Sequence, residues 1–181
     1  MSHIRFDKNW TLFLDRDGVI NQRPLNDYVK KTEDFVFLPG VIEALRLLSS
    51  VFGKIVVVTN QQGVGLGMMN GETLQKIHQM MLQSISDGGG RIDLVLACTE
   101  TRGQLNNCRK PSTAMADEAA DKIPSIRFAQ SVMVGDTETD IQFGKNAGMQ
   151  TVLIGSESIT LVPDLKFYSL YQFAKYCINQ K

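Results

Sequence analysis

Two carboxylates one residue apart, Asp15 and Asp17, follow the apolar run Leu12-Phe13-Leu14 and precede Gly18. In an extended segment, residues i and i+2 point to the same side, so both acids start out facing one site. Gly18 lets the chain turn away directly afterwards. Acids crowded at a strand end repel one another, a cost that signals a metal ion or a proton transfer. Taken alone, the segment also reads as an Asp-rich turn after a buried strand.

Three other segments carry reactive groups. Val56-Val57-Val58 runs into Thr59-Asn60-Gln61-Gln62-Gly63, which offers a hydroxyl and an amide. Cys108-Arg109-Lys110-Pro111 places two cations where a helix should begin, and Gly135-Asp136-Thr137-Glu138-Thr139-Asp140 adds more acids. Singly these read as a turn, a solvated surface and a helix cap. Together they suffice for phosphoryl transfer. Clustered acids with oxygen-only ligands suit magnesium. A hydroxyl, an amide and an ammonium hold phosphate oxygens, while one carboxylate attacks and another handles the proton. The only histidines, His3 and His78, sit at no expected strand end, so no Ser–His or Cys–His pair competes for the nucleophile's role.

The elements that must position these groups show in the apolar pattern. Buried β-branched runs predict strands over 11–15, 54–59, 92–97, 131–135 and 150–154. Helical spacing predicts helices over 41–51, 72–86, 138–146 and 170–178, and one that starts at Pro111. Such alternation implies an α/β fold, a parallel sheet with helices on both faces, whose ligands bind at the carboxyl ends of the strands. All four reactive segments lie there. Residues 21–37 are too few for a lid domain and 61–110 are used by core elements, so one capless domain over residues 1–181 is expected.

With 181 residues, 43% hydrophobic and 21% charged, the chain suits a soluble globular protein. Its 19 basic and 19 acidic residues cancel, which argues against a nucleic-acid backbone as its main partner. The N-terminus lacks the apolar core of a signal peptide, and no apolar run is long enough to span a bilayer. Three cysteines, far apart and odd in number, point to reduced thiols and a cytoplasmic protein.

Asp15-Arg16-Asp17-Gly18, Thr59-Asn60, Lys110 and Gly135-Asp136 with Asp140 resemble, in order and spacing, the four motifs of the haloacid dehalogenase (HAD) superfamily. The match runs from about Phe13 to Gly155. Leu-Asp-Arg-Asp-Gly-Val-Ile-Asn, Pro39-Gly40-Val41, Thr-Asn-Gln-Gln-Gly and Cys-Arg-Lys-Pro narrow it to the branch of heptose bisphosphate and histidinol phosphatases. The resemblance implies a Rossmann-like three-layer core and a magnesium-dependent phosphatase working through an aspartyl phosphate. By the same resemblance, Asp15 attacks phosphorus, and Asp17 protonates the leaving oxygen and then activates water. Mutual repulsion in the acid cluster is expected to help Asp17 hold its proton. Magnesium is held by the Asp15 carboxylate, the Asp17 backbone carbonyl and Asp136. Thr59 and Asn60 hold the phosphate, Lys110 neutralises it, Asp140 orients Lys110 or a metal-bound water, and Arg109 reaches the rest of the substrate.

The chain departs from this pattern in three places. Relatives in the branch carry a zinc loop with Cys-x-His and Cys-x-Cys pairs. Here Glu100 and Asn106 replace two of the four ligands, so Cys98 and Cys108 are expected to be simple thiols without zinc. Leu66 and Thr137 stand where basic residues are common, and Gly63-Val64-Gly65-Leu66-Gly67 reads as a flexible loop over the site rather than a dinucleotide motif. Asn26, Asp27 and Tyr28 are candidate substrate contacts. A monomer acting on a small phosphorylated metabolite is expected, with a heptose 1,7-bisphosphate first and histidinol phosphate second. A nucleic-acid 3′-phosphatase and a catalytically silent binding module are the remaining alternatives.

Overall fold

Strand β1, Thr11–Leu14, is buried along its whole length and forms the axis of the molecule. In this computed structural model residues 4–24, 27–104 and 107–180 are described; His3, Asn26 and Asn106 lie outside them. The other strands are β2, Lys54–Asn60; β3, Leu94–Cys98; β4, Ser131–Gly135; β5, Gln150–Ile154; and β6, Leu165–Phe167. They make one parallel sheet in the order β3-β2-β1-β4-β5-β6. Thr11 is level with Lys54 on one side and Ser131 on the other, so the carboxyl ends of β1, β2 and β4 finish side by side. The strand order reverses between β1 and β4, which opens a crevice there.

The helices are α1, Val41–Val51; α2, Gln62–Gly65; α3, Gly71–Asp87; α4, Ala114–Lys122; α5, Glu138–Asn146; and α6, Leu170–Ile178. Helices α1, α3 and α6 cover one sheet face, burying Leu45, Ile77 and Phe173 against Leu12, Leu14 and Val57. On the other face, Met115 and Ala119 of α4 and Phe143 of α5 cover Phe13, Val56 and Met133. Each of the buried Leu, Ile, Val, Phe and Met side chains contributes about 1.5–3 kcal/mol. Asn70 starts α3 by accepting from Thr73 N at 2.8 Å, and Ser169 starts α6 by accepting from Gln172 N at 3.2 Å. No helix among the described residues is long and apolar enough to cross a membrane.

The expected strands and helices are all present, with small shifts at their ends. Strand β6, a short, half-exposed edge, has too few apolar residues to show in the sequence pattern. The fourth helix begins at Ala114 rather than at Pro111, after a turn that follows a cis Lys110–Pro111 peptide. Instead of a flexible loop, the glycine-rich run is the short helix α2 and a hydrogen-bonded turn. A Cβ on Gly65 would lie 2.4 Å from the Thr99 carbonyl oxygen, so close packing on the neighbouring loop is what selects glycine there.

The cysteines also differ from expectation. Cys98, at the end of β3, and Cys108 are joined in a disulfide with their Cα atoms 5.5 Å apart. The bond joins two thiols ten residues apart in the sequence, where reduced thiols were expected. Cys177 is free and buried.

Candidate active site

Asp15 follows β1, and its N–H still bonds the Val134 carbonyl at 3.0 Å, which anchors the acid at the crevice. Lys110 reaches the same place from the turn before α4. Its ammonium lies 2.8 Å from Asp15 Oδ1, 2.6 Å from Asp140 Oδ1 and 2.8 Å from the Val58 carbonyl. All three donor positions of the buried cation are therefore used. Burial works against its charge, yet Asp140 and Asp15 outweigh that and hold its pKa above the ordinary lysine value. Asp140 is buried too, but Lys110 and the bonds from Thr137 pull its pKa below the usual carboxylate range. Thr137, at the start of α5, supplies those bonds from its N–H at 3.1 Å and its hydroxyl at 2.6 Å. Asp140 thus forms a buried ion pair with Lys110.

Carboxylate oxygens of Asp15, Asp136 and Asp140 all lie within 4.8 Å of one another. Burial lifts the Asp15 pKa to about 6 against the pull of Lys110. Burial and the charge on Asp15 lift Asp136 to about 8 against the pull of Arg23. This cluster is short of positive charge. The Arg23 guanidinium sits 2.6 Å from Asp136 Oδ1 and 3.4 Å from the Asp17 carbonyl oxygen. A cation is thus drawn to two of the atoms that the resemblance assigns to magnesium, and the all-oxygen donor set fits a hard divalent ion.

Gly18 makes the approach of Asp136 possible. Its φ is +96°, and a Cβ there would lie 1.8 Å from Asp136 Oδ2. We expect Gly18→Ala to displace Asp136, costing roughly 1–3 kcal/mol of stability from backbone strain alone and most of the activity. Calorimetric magnesium titration of the folded variant checks the displacement, and unchanged metal affinity contradicts it.

The Asp17 carboxylate is held by Arg16, Asn21 and Gln61. Its Oδ1 accepts from Asn21 Nδ2 at 2.9 Å, its Oδ2 accepts from Gln61 Nε2 at 2.7 Å, and Arg16 Nη2 lies 3.0 Å from both oxygens. Asn60 clamps the backbone of Lys110, its Oδ1 accepting from Lys110 N at 3.0 Å. Thr59 is buried, and its hydroxyl oxygen accepts from Gln61 Nε2 at 2.8 Å.

An open cleft of about 490 Å³ lies over these groups, lined by Asp15, Asp17, Asn60, Lys110 and Asp140 and by Asp27, Tyr28 and Arg109. All four expected substrate contacts that fall on described residues, Asn60, Arg109, Asp27 and Tyr28, therefore share one wall system. Tyr28 packs on Gly63 and its phenol oxygen accepts from Gln62. Arg23 and Arg102 line the same cleft. Burial and the neighbouring Arg102 lower the Arg109 pKa, and its Nη1 is buried with no hydrogen-bond partner among the described residues.

The sequence reading missed Arg16, Asn21, Arg23, Gln61 and Arg102. Four of them stand within or beside motif residues, which was the available signal, but nothing in their spacing shows that they converge.

Comparison with known proteins gives a consistent result. Residues 107–168 match the family described as HAD-hydrolase-like. The D-glycero-alpha-D-manno-heptose-1,7-bisphosphate 7-phosphatase of Mycobacterium tuberculosis is 37% identical over 175 residues, covering 94% of this chain and 92% of that protein. The histidine biosynthesis bifunctional protein HisB of Blochmanniella floridana is 34% identical over 142 residues, 78% of this chain and 40% of that protein. The crystal structure of D,D-heptose 1,7-bisphosphate phosphatase from B. bronchiseptica, complexed with magnesium and phosphate, superposes with a TM-score of 0.84 at 27% identity, over 95% of this chain and 99% of that one.

Proposed function

The chain belongs to the haloacid dehalogenase superfamily of hydrolases and is a phosphatase, and we propose that it removes one phosphate from a D-glycero-D-manno-heptose 1,7-bisphosphate. The observation that carries the substrate class is the guanidinium wall of the cleft. Arg102 and Arg109 line the same cleft as Asp15 and Lys110, and their guanidinium groups offer a second phosphate charge-assisted bonds. Histidinol phosphate carries an ammonium beside its phosphate ester and an imidazole at its far end, and so offers these arginines no second anion.

In the proposed reaction, an Asp15 oxygen attacks phosphorus and forms an aspartyl phosphate, which water then hydrolyses. Lys110 neutralises the charge on the transferring group, and Asp140 keeps Lys110 in place. Thr59 and Asn60 stand beside the phosphate, and Asp17 exchanges the protons. Asp27 and Tyr28 contact the sugar. Magnesium is the proposed cofactor. The Asp15 and Asp136 carboxylates and the Asp17 carbonyl would hold it, and it would neutralise phosphate charge. No zinc is included in the proposal, since Glu100 and Asn106 stand in place of two of the four ligands. The whole chain acts as one capless domain, a cytoplasmic monomer.

Phosphate release from both heptose bisphosphate anomers, histidinol phosphate, 3′-phosphorylated DNA and an aryl phosphate, with and without magnesium, tests this reading. We expect a heptose bisphosphate to lead in kcat/KM by roughly 100-fold and chelation to abolish turnover. A preference for histidinol phosphate or DNA would reassign the substrate. No turnover of any ester would favour a binding module.

A further inference from the structure

We propose that Arg16 is a positioning residue for Asp17, setting with Gln61 and Asn21 the direction in which the Asp17 carboxyl transfers its proton. The inference rests on Asp17 being the acid and base, and adds the group that aims it. Arg16 is fully buried, which is rare for an arginine, and it is not part of the cleft lining. Its Nη2 bonds both Asp17 oxygens and Gln61 Oε1, the last at 3.1 Å. With its oxygen engaged in that way, the Gln61 amide points its nitrogen at Asp17 Oδ2 and Thr59 Oγ1. Asn21 completes the set at Oδ1 and is itself tied to the Gln22 carbonyl at 2.8 Å.

The far side of Arg16 is equally constrained. Its Nη1 bonds His78 Nε2 at 3.1 Å, and the Phe35 ring centre lies 5.8 Å from its guanidinium carbon. Burial and the Arg16 charge pull the His78 pKa to about 4, so His78 stays neutral and accepts. Burying a cation of this kind costs much of what its ion pair returns in stability, so stability is weak grounds for keeping it. What the arrangement does supply is a single orientation for a carboxylate that still opens to the cleft, its side chain 20% exposed.

The orientation matters in both half-reactions. In the first, the bond from Asp15 to phosphorus forms and the ester P–O bond breaks. The electron pair stays on the ester oxygen, which takes the Asp17 proton. In the second, Asp17 takes a proton from water as the water oxygen bonds phosphorus and the Asp15–phosphorus bond breaks. An alkyl ester needs the first proton transfer, whereas 4-nitrophenyl phosphate releases a stable phenolate without it.

Single-turnover rates with a sugar phosphate, compared with the nitrophenolate burst, isolate this step. Arg16→Met is expected to slow the sugar phosphate by roughly 100-fold and the burst by no more than about threefold. Gln61→Leu is expected to show the same split at roughly tenfold. Equal losses on both substrates in Arg16→Met would mean a merely structural role and overturn the proposal. If Arg16→Met does not fold, Gln61→Leu decides, since it leaves the ion pair in place; an equal loss there overturns the proposal as well. Asp17→Asn, measured alongside, should show the largest split. Were it to slow both substrates equally, the assignment of Asp17 itself would fall, whatever Arg16 does.

Discussion

Asp15→Asn will reduce turnover of every phosphate ester by about 10⁴-fold or more while leaving the fold intact. The amide has nearly the same shape as the carboxylate but is a far poorer nucleophile. Its oxygen can still accept from Lys110, whose ammonium also keeps Asp140 at 2.6 Å and the Val58 carbonyl at 2.8 Å. Loss of one negative charge relieves the crowding that lifts Asp136, so no stability penalty is expected from the cluster. Kinetics and acid-quench mass spectrometry check this together. Wild-type enzyme quenched during turnover should carry phosphate on the peptide containing Asp15, and the variant none. Full activity in the variant, or phosphate on another acid, would remove Asp15 from the nucleophile's role.

Lys110→Met will destabilise the protein by about 3–5 kcal/mol and also abolish activity. Lys110 is the shared partner of two buried carboxylates, Asp15 and Asp140. Methionine fills much of the same volume, so packing survives, but it leaves both acids without their cation. The acids must then take up protons or draw in water, and either change costs stability. Urea denaturation measures the loss. Adding Asp140→Asn to Lys110→Met should return part of it, because one of the stranded charges is then gone. If Lys110→Met stays within about 1 kcal/mol of wild type, the buried triad is not the electrostatic keystone described here. Activity should not return in the double variant, because the ammonium proposed to neutralise the phosphate is still missing.

The fold was largely legible because its signals are local. Strands Ser131–Gly135 and Gln150–Ile154 and helices Val41–Val51, Glu138–Asn146 and Leu170–Ile178 have the bounds that apolar spacing predicts. Buried parallel strands leave long β-branched runs, and amphipathic helices leave a periodic stripe. Strand β6 escaped notice because a three-residue edge needs neither. The turn at Gly63–Gly67 was misread for a related reason. Glycine marks a place where a side chain does not fit, and the sequence does not say whether flexibility or a neighbour such as the Thr99 carbonyl is responsible.

The candidate site was legible in its acids and its lysine but not in their supporting partners. Asp15, Asp17, Lys110, Asp136 and Asp140 could be picked out because charged groups at several strand ends of one sheet are rarely there by chance. Arg16 and Arg23 were overlooked because arginine is usually surface, and burial is a property of the folded neighbourhood. The count of three cysteines points to thiols at Cys98 and Cys108, because pairing depends on the distance between them in the folded chain, not on their number.

By itself, then, the order of Asp15-Arg16-Asp17-Gly18, Thr59-Asn60, Lys110 and Gly135-Asp136 determined the class of reaction and the edge of the sheet where it belongs. That order suffices because parallel strands in alternation deliver their ends to one crevice. Only the tertiary structure decided which cation serves which acid: Lys110 for Asp15 and Asp140, Arg23 for Asp136, and Arg16 for Asp17. Ion pairing depends on angstrom distances between groups as far apart in the chain as Arg23 and Asp136, and those distances exist only once the sheet has closed around them.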